Sequence, residues 1–311
     1  MAGNNMKIAQ TFLSLPNADA TEADVLILPV PHEKTVTYNH GTRKGPNAIL
    51  AASEQLEFHE EDKNWAPTRH LKLCVLDAVS DDLLSAEDFH QQLYTRVKAL
   101  NPHALLIALG GEHSITPDMV FARMPKGGTV VQIDAHADFR ESYHGSIYNH
   151  ACPMYRIRKQ GYDLVQIGIR SLNSREAESL AGDEGITTWF DRQLQHPENW
   201  QALLSQLASL QGDVWLTVDM DGFDPAAVPG VGTPQPGGLS WHQGLDILDA
   251  LTQNKAIRLC GVDIVELIPE SSCVSDMIAA KLVQKSFSYW GKAQGFDRRE
   301  ANGSQTGVED D

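Results

Sequence analysis

Positive charge is scarce in this chain: 25 Lys and Arg stand against 41 Asp and Glu in 311 residues, a formal net charge of -16. A protein that grips a phosphate backbone needs the reverse balance, and no basic run interleaved with aromatics occurs, so nucleic acid is not an expected partner. Cysteine is sparse as well. Cys74, Cys152, Cys260 and Cys273 lie far apart without a CxxC pair, which argues against a disulfide framework and for buried thiols in a reducing compartment. No apolar run approaches about 18 residues, so no membrane span is expected, and the N-terminus lacks the basic-then-apolar pattern of a secretory leader. The glycine pairs Gly110-Gly111 and Gly127-Gly128 belong to no GxGxxG or Walker sequence, so a nucleotide fingerprint is missing. These absences leave a cytoplasmic protein whose charge suits a small cationic ligand.

The chain is 42% hydrophobic, enough for one large core. Short apolar runs recur at VLILPV (25–30), LKLCVL (71–76), ALLIAL (104–109), TVVQID (129–134), LVQIGI (164–169), VWLTVD (214–219) and IRLCGVD (257–263). They are near-continuous rather than alternating, as strands covered on both faces must be. Amphipathic stretches separate several of them. Ser85 with Asp88, and Ser240 with Gln243, read as helix N-terminal caps, and NAILAASEQLEF reads as a third helix. Alternating strands and helices predict an α/β fold with a mainly parallel sheet, whose ligands bind outside the strand C-termini. The loops at 41–46 and 139–153 are candidates to line a pocket there, and the Pro- and Gly-rich segment 224–240 is expected to run over the surface nearby. A single domain over 1–292 followed by a polar, flexible tail over 293–311 completes the expected organisation.

Three clusters of His and Asp follow three of the apolar runs: GGEHS from Gly110, DAHAD from Asp134 and DMDGFD from Asp219. Alternate side chains of a strand face one way, so Asp134, His136 and Asp138 are expected to converge, as are Asp219 and Asp221, with His113 arriving from a third segment. Carboxylates with a few imidazoles suit a borderline-hard divalent ion such as Mn2+ better than a closed structural zinc site. Four carboxylates in one place argue for two ions, because without that positive charge they would repel and some would take up protons.

GGEHS, DAHAD and DMDGFDP in this order, with GTRKGP from Gly41, GTPQPGGLS from Gly232 and DIVELIP from Asp263, resemble the ureohydrolase family of arginases and agmatinases over about residues 22–290. The resemblance implies a three-layer α/β/α fold and two Mn2+ per subunit. His113, Asp134, Asp138 and Asp219 would hold one ion and Asp134, His136, Asp219 and Asp221 the other. It implies catalytic roles for Asp138 as proton carrier, Glu266 as acceptor of guanidinium N–H groups and His150 as a substrate-binding or proton-shuttling group, with His144 a competing candidate for that last role. NHACP around His150 and the loop DFRESYHGS are similar to the agmatinase branch. Agmatine, cleaved to urea and putrescine, is therefore the expected substrate. The alternatives are 4-guanidinobutanoate or another guanidine, arginine, and an inactive assembly or regulatory homologue. Arg140 and the unusual YNHGTR at 38–43 bear on that choice. A homotrimer or homohexamer is implied by the family alone.

Overall fold

The computed structural model describes residues 10–79 and 84–301. The strands are β1 (Val25–Val30), β2 (Leu73–Val75), β3 (Leu105–Gly110), β4 (Thr129–Ile133), β5 (Asp163–Ile169), β6 (Ile186–Phe190), β7 (Gly212–Asp219) and β8 (Ile257–Val265). They form one sheet in the order β2-β1-β3-β8-β7-β4-β5-β6, and every pairing is parallel. Each expected apolar run supplies a strand. Only β6 escaped sequence reading, because ITTWF is short, carries two threonines and lies half-buried at the sheet edge.

The helices are α1 (Gly45–Ser53), α2 (Ala86–Lys98), α3 (Thr116–Arg123), α4 (Pro153–Lys159), α5 (Ser174–Ala181), α6 (Asp191–Leu194), α7 (Pro197–Ser209), α8 (Trp241–Gln253) and α9 (Val274–Ala293). Side chains alternate along β1: Val25 and Ile27 face a core with Ile49 of α1, Leu203 of α7, Leu251 of α8 and Phe287 of α9. Leu26 and Leu28 face a second core with Phe89 of α2, Met119 of α3 and Ile157 of α4. The fold is thus a three-layer α/β/α sandwich, and each such fully buried side chain contributes about 1.5–3 kcal/mol.

Ser85 and Ser240 cap α2 and α8, accepting from the N–H groups of Asp88 and Gln243, and Gln243 returns a bond to complete a capping box at α8. Helix α1 is shorter than NAILAASEQLEF suggests. It opens at Gly45-Pro46, where proline suits the first turn, and beyond Ser53 the bonds tighten to i→i+3 turns through Leu56. After α9 the chain makes one more turn that buries Phe296 beside Trp290, and Arg299 pairs with Asp24 at 3.0 Å. The remainder of the expected tail, 302–311, lies outside the described residues. Cys74, Cys152 and Cys260 are buried free thiols, as expected, whereas Cys273 is exposed because it sits on the loop just before α9 rather than in a strand.

One feature of the register builds the site. Leu109, Ile264, Val218 and Ile133 form a lateral row across β3, β8, β7 and β4. The chains that carry GGEHS, DIVELIP, DMDGFD and DAHAD therefore leave the sheet side by side, at its C-terminal edge.

Candidate metal centre

Asp134 follows directly on the last residue of β4, and the rest of DAHAD is loop rather than strand. Strand alternation is therefore not what makes its side chains converge. Asp134 Oδ1 accepts the N–H of His136 at 2.6 Å, folding the segment back on itself, and Asp138 takes the left-handed conformation with φ 48°, which Asp tolerates better than most residues. The second i, i+2 pair is corrected in the same way. Asp219 ends β7 and accepts the N–H of Asp221 at 2.9 Å, so Asp221 stands in a 3-10 turn over Met220–Gly222. Glycine makes this crowding possible: a Cβ on Gly222 would stand 2.7 Å from Asp134 N, and one on Gly111 would stand 1.9 Å from His32 O.

His113 is fully buried, and its Nδ1 lies 3.2 Å from Asp134 Oδ2, 3.1 Å from Asp138 Oδ2 and 3.5 Å from Asp219 Oδ2. His136 Nδ1 lies 3.6 Å from Asp134 Oδ1 and 3.0 Å from Asp221 Oδ2. Two groups able to hold a cation result, His113 with Asp134 and Asp138, and Asp134 with His136 and Asp221. They share Asp134. The six residues expected to hold metal come together, but Asp219, expected to serve both ions, belongs to neither group and stands 3.5 Å from His113 Nδ1.

Proton bookkeeping fixes which nitrogen of His113 is free. Thr217 Oγ1 donates its one proton to Asp263 Oδ1 at 2.5 Å, so it accepts from His113 Nε2–H at 2.9 Å. Nε2 is thereby engaged, and Nδ1 is left buried without a hydrogen-bond partner although three carboxylate oxygens surround it. A cation satisfies such an atom and such oxygens together, so the donor set fits divalent metal. The charge balance agrees. Burial and the Asp134 carboxylate push Asp138 up to about 7, and burial with Asp221 and Asp134 holds Asp219 well above the carboxylate range. Burial opposes charge on His136, yet Asp221 and Asp134 override it and push that imidazole up to about 12.

The arginase family model matches residues 23–288. The chain belongs to the arginase family. This arginase-family ureohydrolase is 38% identical over 284 residues to an N(1)-aminopropylagmatine ureohydrolase of Synechocystis, covering 88% of this chain and 91% of the relative. It is 36% identical to an agmatinase of Pyrococcus horikoshii, covering 87% and 93%. In fold it matches the agmatine ureohydrolase of Thermoplasma volcanium with a TM-score of 0.78 at 29% identity, covering 89% and 93% of the two chains.

Beside the metal groups this arginase-family chain has a cavity of about 250 Å3, lined among others by Asp138, His150, Asp221, Thr233 and Glu266. Glu266 follows β8 in the left-handed region, with φ 62°. Two backbone bonds hold it there: its N–H donates to Gly111 O at 2.8 Å, and its Oε1 accepts the N–H of His113 at 2.7 Å. Burial and Glu112 raise its pKa well above the usual range. His150 lines the same cavity, and burial keeps its pKa below the ordinary imidazole value. His144, the competing candidate, is exposed and lies against Tyr143 instead, the two rings tilted by 54° with centroids 4.2 Å apart. Arg140 lines the cavity with its guanidinium over the Tyr143 ring at 4.3 Å, 3.9 Å from Glu176.

Of the two candidate loops, 139–153 lines the cavity and 41–46 does not; Thr37, just upstream, does. Gly45 packs instead against the backbone of Leu267, where a Cβ would stand 2.8 Å from the carbonyl oxygen. Segment 224–240 does reach the site: Thr233 donates to Asp221 Oδ2 at 3.2 Å, and Gln235 lies 3.5 Å from His136 Nε2. Thr233, Thr217 and Asp263 were not found from the sequence. No spacing rule singles out a threonine, and Asp263 reads as one more strand-end carboxylate until its contacts are known.

Proposed function

We propose that this chain hydrolyses the guanidinium group of agmatine to urea and putrescine, with two divalent cations, Mn2+ by preference, held by His113, Asp134, His136, Asp138, Asp219 and Asp221. One observation carries the reading: two His and Asp groups that share Asp134 stand beside a cavity whose wall includes Asp138, His150 and Glu266. When bound, the cations would supply a nucleophile from water at neutral pH and stabilise charge developing at the guanidine carbon.

In the overall reaction the oxygen of water becomes the urea carbonyl oxygen, the bond from carbon to the alkyl-bearing nitrogen breaks, and both water protons end on that nitrogen. Asp138 carries the first proton. Its carboxylate belongs both to the His113 group and to the cavity wall, so it spans the attacking and leaving sides. His150 is the second carrier and the contact for the substrate's distal part. Glu266 Oε1 is occupied by His113 N–H, and its other oxygen accepts a guanidinium N–H; a planar donor fork matches this better than an ammonium.

A second substrate is favoured by a specific observation. Arg140, Asn173 and Glu176 line both the cavity and a larger open groove of about 1150 Å3, and similar chains are named N(1)-aminopropylagmatine ureohydrolase. An agmatine extended by an aminopropyl group would have room to run along that groove. The subunits assemble, on the same reading, as a trimer or hexamer in the cytoplasm. Urea release from Mn2+-loaded protein given agmatine, N(1)-aminopropylagmatine, 4-guanidinobutanoate or arginine tests the assignment. Turnover confined to 4-guanidinobutanoate or arginine would overturn it.

A further inference from the structure

Glu112, the central residue of GGEHS, is fully buried and has no place in either metal group. Its two oxygens accept four donors. Oε2 takes the backbone N–H groups of Lys34 and Thr35 at 2.8 and 2.7 Å, and Oε1 takes the hydroxyls of Thr35 and Ser114 at 2.8 and 2.7 Å. On its far side, Thr35 Oγ1 meets the backbone N–H of His150 at 3.0 Å and the ring Nδ1 of His150 at 3.0 Å. The loop after β1 and the loop after β3 are thereby tied to the histidine on the cavity wall.

The protons in this chain can be counted. Thr35 Oγ1 and Glu112 Oε1 are 2.8 Å apart, a distance at which two oxygens need a proton between them, and the threonine hydroxyl supplies it. Having donated that proton, Thr35 has only lone pairs to offer His150. The contact with Nδ1 is then a hydrogen bond only if the imidazole is the donor. We propose that Glu112 and Thr35 are positioning residues that lock His150 as the Nδ1–H tautomer and leave Nε2 as its acceptor nitrogen.

The consequence for recognition rests on the guanidine reading above. Guanidinium and ammonium groups present donors only, so a neutral histidine helps bind them only when it turns an acceptor toward them. The opposite tautomer would set N–H against N–H. A carboxylate placed directly on the cavity wall would serve the same end but add a charge; the relay through Thr35 keeps the Glu112 charge one hydroxyl away and uses it to orient a neutral base.

Neutron diffraction from a crystal of the Mn2+-loaded protein reads the tautomer directly. Deuterium on His150 Nδ1, directed at Thr35, is the expected result; deuterium on Nε2 with none on Nδ1 overturns the proposal. Kinetics give a second reading. Thr35→Val is expected to lower kcat/KM by about 10- to 100-fold, while Thr35→Ser, which keeps the hydroxyl, restores most of the loss. Wild-type rates in Thr35→Val, or equal losses in both variants, would overturn it. The neutron map does not depend on which guanidine is cleaved. If wild-type protein released no urea, the functional reading would fall while the map still decided the relay, and urea release with deuterium on Nε2 would sink the relay alone.

Discussion

Asp134 touches both metal groups, whereas His136 belongs to one. Replacing Asp134 by Asn should therefore strip both ions, and replacing His136 by Asn should strip mainly one; metal content after dialysis, measured by atomic emission, checks the difference. Equal losses would mean that the two groups do not share a ligand. Asp138→Asn keeps size and polarity but cannot carry a proton, so urea formation should fall by about 10²- to 10⁴-fold, the usual weight of a general acid-base group. A variant that still binds two ions yet turns over at the wild-type rate would remove Asp138 from that role.

Among the elements, α9 carries the clearest stability test. Lys285 is fully buried and pairs with Glu60, Glu61 and Asp62, of which Glu60 is also fully buried. Lys285→Met would leave the buried Glu60 carboxylate with only the backbone N–H groups of Asp62 and Lys63 and no cationic partner, a loss of about 3–5 kcal/mol, visible as a lower midpoint in urea unfolding. The pH dependence follows from the neighbours. Hydrogen bonds from Lys285 and Tyr289 hold Asp62 below the usual carboxylate value. For Glu61, burial works against charge but the Lys285 bond prevails. Both have depressed folded-state pKa values, so their stabilisation is present in full above the unfolded-state pKa and is lost as pH falls through the folded-state value. The stability gap between wild type and Lys285→Met should accordingly narrow on acidification toward pH 3; a constant gap would show that these carboxylates contribute nothing through Lys285.

For the molecule as a whole, two apolar cores lie on opposite faces of the sheet and the metal groups sit at its C-terminal edge. Chelation should therefore leave the far-UV circular dichroism unchanged while lowering the thermal midpoint, because the carboxylates lose the charge that reconciles them. Free Mn2+ at about 1,000 times its Kd would restore about 4 kcal/mol. Loss of secondary structure on chelation would instead make the ions part of the fold's foundation.

Strands and helix caps are local properties, and they were legible as such. Continuous apolar runs announce strands covered on both faces, Ser-x-x-Gln announces a cap, and His with Asp just past a strand end announces oxygen-rich metal chemistry, because each depends on neighbours a few residues away. What the sequence could not settle is how the DAHAD side chains converge. Strand alternation predicted it for a wrong reason; the convergence comes from Asp134 bonding the His136 N–H and from the left-handed turn at Asp138. β6 was hidden because an edge strand needs no continuous apolar run. The lateral row from Leu109 to Ile133, the proton held by Thr217 and the relay from Glu112 through Thr35 to His150 belong to tertiary structure alone. Each joins residues from separate strands or loops, and a hydrogen bond's direction is decided by every partner its proton could have, which only the folded chain brings within reach.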